Sequence, residues 1–182
     1  MRSRQVMGLL LGTAVLAMTA WGTTRQSLHA EDAKAGKPGQ ESVARGRRTA
    51  MMLDEVYKNA IVLITDKYVH DEEDFPAGSA AVVLFDRVTK GGSHAVRLID
   101  ATGKPYDEDN VAKDEFEKAA VSKLKAGAET VEQVVQQGDK WNLRVMTPVP
   151  VVMKKCVMCH AHYADAKKGE PIGAISYTIP LD

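Results

Sequence analysis

Both cysteines of the 182-residue chain fall within five residues, Cys156-Val157-Met158-Cys159-His160. Two thiols separated by two residues can each add to one of two neighbouring vinyl groups on a porphyrin edge, and the next residue then projects imidazole under the iron. The spacing is that of covalent haem c attachment, with Cys156 and Cys159 as thioether anchors and His160 as proximal axial ligand. Other thiol chemistries fit less well. A thioredoxin-like dithiol opens a helix inside a βαβ unit, a context that the periodicity of this chain does not supply. Zinc needs four ligands, and without a second Cys or His pair it would crowd Cys156, Cys159, His160 and His162 onto one ion within seven residues.

A haem iron has a sixth position, and the residues beside the motif reach it poorly. His162 is two residues from the proximal ligand and Met158 lies between the anchors. His70 is the distal candidate: seven helical steps of about 100° bring it within roughly 20° of Leu63, on the flank of an apolar helix face. The competing reading is a solvated helix end, balanced by Asp71, Glu72, Glu73 and Asp74 and by the helix dipole. His94, after Gly91, Gly92 and Ser93, is expected to be an exposed loop residue. Met51, Met52, Met146 and Met153 read as core filler. Tyr57 and Tyr68 share the helix with His70 and are candidates for packing on the porphyrin, against the simpler role of core packing.

These residues must be positioned by elements that the periodicity outlines. From Ala44 to His70 the apolar residues Leu53, Val56, Tyr57, Ala60, Ile61, Ile64 and Tyr68 recur at steps of three and four, the mark of a long amphipathic helix. Phe75 and Pro76 break the pattern, and Ala77 to Thr89 predicts a second helix closed by Gly91 and Gly92. His94 to Asp100 reads as a strand, with a Thr-Gly-Lys-Pro turn after it. A third helix is expected from about Ala112, capped by Asn110 and ending at Gly127. Val131 to Gln136 and Trp141 to Thr147 form a hairpin pattern around Gly138-Asp139-Lys140, and Ile172 to Ile179 closes a small sheet. The class is α+β: long N-terminal helices covering an antiparallel sheet, with covalent haem near the C-terminus.

Ahead of this domain, Arg2 and Arg4 precede an apolar run from Met7 to Trp21 with no acidic residue before Glu31. Residues 1–30 read as an export signal, since the run is shorter than the roughly 20 apolar residues of a spanning helix. Ala30 and Gly22 are both cleavage points that fit, and an uncleaved anchor is the alternative. Residues 31–43, with Gly36, Pro38 and Gly39, read as a flexible tether to a domain over 44–182. Export places the protein in the bacterial periplasm, with membrane attachment only if the signal segment is retained.

The motif at Lys155 to His160, the closing run Gly169-Glu170-Pro171-Ile172-Gly173-Ala174-Ile175-Ser176-Tyr177-Thr178-Ile179-Pro180-Leu181 and the long helix leading into the sheet give a chain that resembles extracytoplasmic c-type haem proteins with a PAS-like fold, a family largely catalogued as a domain of unknown function. The resemblance covers most of the chain after Val43. It implies one haem lodged between the helical layer and the sheet, in free-standing cytochromes or in the sensing parts of kinases and chemoreceptors. In some members a cysteine on the long helix is the distal ligand; here both cysteines belong to the thioether motif and Ile64 or a neighbour stands at that place.

Lys and Arg number 24 against 24 Asp and Glu, so no basic field points to nucleic acid. Losing Arg2, Arg4 and Arg25 with the signal would leave a formal charge of −3. With no carboxylate pair or nucleophile constellation, the chain reads as a non-enzymatic electron carrier serving redox partner proteins. The second reading is a sensor of redox state or of a diatomic gas acting through a separate signalling partner, and the lack of a kinase, cyclase or receptor segment favours the first.

Overall fold

The computed structural model describes residues 36–71, 73–157, 163–167 and 169–182; residues 1–30, with their expected export signal, and residues 31–35 of the expected tether lie outside them. The first helix, α1, runs over Gln40–Tyr68, so the four residues from Gln40 to Val43 are helical and not tether. Its buried face is Ala50, Asp54 and Tyr57, three- and four-residue steps that turn one stripe inward. The second helix, α2, spans Ala77–Gly91 and stops at Gly92, whose φ of 81° suits only a residue without a side-chain penalty in the left-handed region. Strand β1 (Ala95–Asp100) comes next, then the helix α3 (Glu115–Lys125), the hairpin β2 (Val131–Gln137) and β3 (Lys140–Pro150), and strand β4 (Pro171–Leu181).

The four strands form one antiparallel sheet in the order β1-β4-β3-β2. Alternation along the strands divides it into two faces. On one face Val96, Leu143, Val145, Ile175, Tyr177 and Ile179 pack beneath Ala50 and Tyr57 of α1 and Ala81 and Phe85 of α2. On the other, Ile99, Met146 and Ala174 meet Ala120 and Leu124 of α3. The expected α+β class therefore holds, with a helix layer on each face.

α3 begins later than the sequence reading placed it. Asn110 belongs to a short 3-10 turn, and Asp114 caps the helix by accepting from the Glu117 backbone N–H at 2.9 Å. The reason is Glu117 itself. Its buried carboxylate receives Arg97 at 2.6 Å and Arg144 at 3.3 Å from the sheet, which fixes the helix start three residues before it. Among the described residues no helix is long and apolar enough to cross a membrane.

Candidate functional site

The chain between β3 and β4 makes an excursion that carries the cysteine motif. Its base is pinned by two backbone bonds, Val151 N–H to the Glu170 carbonyl at 3.2 Å and Gly169 N–H to the Val151 carbonyl at 3.1 Å. Lys154–Val157 forms a 3-10 turn in which the Cys156 N–H donates to the Met153 carbonyl at 3.1 Å. Lys155 reaches across to α1, its Nζ donating to the Asp66 carbonyl at 2.8 Å. This bond holds Cys156 beside the C-terminal half of α1. Met158, Cys159, His160 and His162 lie outside the described residues.

Cys156 stands on the wall of a cavity of about 490 Å³, within the range of small-molecule and cofactor sites, about 300–1,000 Å³. One wall is the C-terminal half of α1, where Lys58, Ile61, Val62 and Thr65 recur at helical spacing, with Val69 just past the helix end. The N-terminal turn of α2 (Ala77, Gly78, Ser79), the ends of β1 and β3, and the start of β4 complete it. Four large apolar residues on this lining face solvent: Phe75 (65% exposed), Val83 (50%), Tyr106 (70%) and Val152 (44%). Converging apolar surface of this kind marks a site that something apolar covers. A flat, largely apolar macrocycle fits the lining, and a thiol that could anchor one stands on its wall.

Behind the α1 wall is a buried polar cluster. Asp54 is 8% exposed, and its Oδ1 accepts from Thr147 at 2.5 Å and from Tyr177 at 3.0 Å, both on the sheet. Its Oδ2 accepts from Lys58 at 2.8 Å, and Lys58 is also on the cavity wall. Burial, then the Asp54 charge, pushes the Tyr177 phenol far above its ordinary range, so it remains a donor. The sequence held a signal for this cluster: an acid four residues after Ala50 in the stripe Ala50, Asp54, Tyr57, Ile61 is a charge on a buried face.

The other candidate residues fall elsewhere. α1 ends at Tyr68, and Asp74 captures the His70 and Asp71 N–H groups at 2.6 and 3.3 Å, turning His70 out to solvent. These two backbone bonds also hold the Asp74 carboxyl below its usual range. Leu63, the reference for the expected position of His70, is itself 55% exposed. Tyr68 is 70% exposed, and Tyr57 is buried in the core, edge-on to Phe85 and stacked near Tyr177. None of the three lines the cavity. His94 is not the exposed loop residue expected: it is half-buried, bonded to the Tyr57 hydroxyl at 3.1 Å and the Ser93 hydroxyl at 3.0 Å, and burial lowers its pKa. Met52 is exposed at 60%, whereas Met146 is core. At the far wall Tyr163 is buried within 3.4 Å of Asp100; burial first, then that charge, pushes its phenol up to about 12.

Comparison with known proteins gives two findings. The model of the Tll0287-like family matches residues 18–180. The fold is similar to that in the crystal structure of the cyanobacterial heme-protein Tll0287, with a TM-score of 0.56 and 11% sequence identity over 78% of this chain and 96% of that one. No curated protein matches the chain.

Proposed function

The chain belongs to the Tll0287-like family, and from that premise we propose that it is an exported c-type haem protein carrying one covalent haem in the cavity beside α1. The observation that carries this reading is the position of Cys156, first residue of the attachment motif, on the wall of an apolar cavity with a solvent-facing apolar rim. Cys156 and Cys159 would be the thioether anchors and His160 the proximal ligand; that the solved structure similar in fold is titled a heme-protein supports haem binding as such. Bound there, haem supplies a one-electron iron couple. Ile61, Val62 and Val69 would exclude water from its α1 side, while Phe75, Val83, Tyr106 and Val152 would leave an edge near the surface.

That edge is what favours single-electron transfer to redox partner proteins in the periplasm over catalysis, and we read the protein as a carrier and not an enzyme. One observation favours the second reading, a redox or diatomic-gas sensor working through a separate partner. Among the described residues no His or Met lines the cavity, and the α1 wall is aliphatic at Ile61 and Val62. A small ligand could occupy the iron face turned to that wall. Optical spectra of the reduced holoprotein with and without carbon monoxide separate the two. A low-spin spectrum unmoved by carbon monoxide supports the carrier, and a prompt shift refutes it in favour of ligand sensing.

A further inference from the structure

We propose that Lys58, held by Asp54, is the residue that receives a propionate carboxylate of the haem; this rests on the haem reading above. Among the described residues two cations line the cavity, Lys58 and Lys155. Lys155 adjoins the anchor Cys156 and donates to the Asp66 carbonyl, which places the anchored end of the cavity level with Asp66. Lys58 lies eight residues further toward the N-terminus of α1, about 12 Å along the helix axis at about 1.5 Å per residue. That separation is comparable with the width of a tetrapyrrole, whose vinyl edge and propionate edge are opposite. A ring tethered at Cys156 and laid along α1 therefore brings its carboxylates toward Lys58.

The chemistry at Lys58 suits an anion. An ammonium has three donors, and one is used on Asp54 at 2.8 Å. Thr147 and Tyr177 both donate to Asp54 Oδ1 and fix that carboxylate, which holds Lys58 through Oδ2 alone. Lys58 lines the cavity, and its side chain keeps 27% of its surface exposed. The opposite wall is unsuited to an anion. Asp100 and Asp107 line it, their oxygens taken by Thr102, Gly103 and Asp109, and both would repel a carboxylate.

The test is the crystal structure of the holoprotein joined to redox titrations of variants. The structure is expected to place Lys58 Nζ in hydrogen-bonding reach of a propionate oxygen; both propionates lying away from Lys58 would overturn the proposal. A cation close to the ring favours the ferrous state, so Lys58→Met should lower the midpoint potential and Lys58→Arg should stay near the unsubstituted protein. The same lowering is expected in an Asp54→Asn background, which removes the uncompensated carboxylate as its cause. Equal midpoints with and without Lys58 in that background, at unchanged haem content, overturn the proposal. A protein purified without haem overturns the parent reading instead.

Discussion

Asp54 is the most informative residue to perturb, because three donors converge on a carboxylate that is 8% exposed. Asp54→Ala strands the Tyr177 and Thr147 hydroxyls, 0% and 1% exposed, without an acceptor. Each stranded buried hydroxyl costs about 1–3 kcal/mol, and the orphaned Lys58, whose side chain is 27% exposed, adds at most about 1 kcal/mol. The expected destabilisation is therefore about 3–5 kcal/mol, read as the shift of the urea unfolding midpoint at constant slope. Asp54→Asn keeps an oxygen for both hydroxyls and should cost less, about 1–2 kcal/mol. Tyr177→Phe alone should cost about 1.5–3 kcal/mol, the value of a bond to a charged group, but little when Asp54 is already Ala. The double-mutant cycle should then show coupling above about 1 kcal/mol. Additivity of the two substitutions within about 0.5 kcal/mol would refute the network.

The same geometry sets other outcomes. His70→Ala should leave the ferric haem spectrum unchanged, since Asp74 turns His70 away from the cavity; conversion from low to high spin would return His70 to the iron. Val62→Trp projects into the cavity from α1 and should reduce covalent haem per polypeptide severalfold while costing the fold no more than the roughly 1–3 kcal/mol of overpacking. Full haem loading in that variant would place the cofactor elsewhere. Arg47 binds Glu132 through two bonds, at 2.7 and 2.5 Å, and its hydrogen bonding holds that carboxyl below its usual range. A carboxyl with a lowered folded pKa stabilises above the unfolded value, about 4.3, and the contribution is lost as pH falls through the folded one. The Arg47→Met deficit, at most about 1 kcal/mol for a half-exposed pair, should thus be present at neutral pH and vanish in acid; a deficit constant with pH would contradict the assignment.

How much of the molecule was legible in the sequence depends on how local each signal is. The cysteine motif is a five-residue pattern whose first residue, Cys156, stands on the cavity wall, and α1 is a repeat along one segment that could be read directly. The start of α3 could not, because Asn110 and Asp114 are both good caps and the choice between them is made by Glu117 meeting Arg97 and Arg144 from distant strands. The helical placement of His70 missed by two residues: α1 stops at Tyr68, and capture of the His70 and Asp71 N–H groups by the Asp74 side chain turns the chain off the helix axis. The cavity had no sequence pattern at all, since α1, α2, β1 and the excursion each supply only part of its lining. Lys58 and Asp54, an ordinary i,i+4 ion pair by sequence, gain their role only when Thr147 and Tyr177 arrive from the sheet.

The most direct test of the central claim is the intact mass of the exported protein together with acid extraction of its pigment. The account predicts a mass increased by that of one haem and colour that stays with the polypeptide, both lost when Cys156 and Cys159 are replaced by alanine. Haem that extracts freely from the unsubstituted protein, or covalent haem that persists in the double variant, would contradict it.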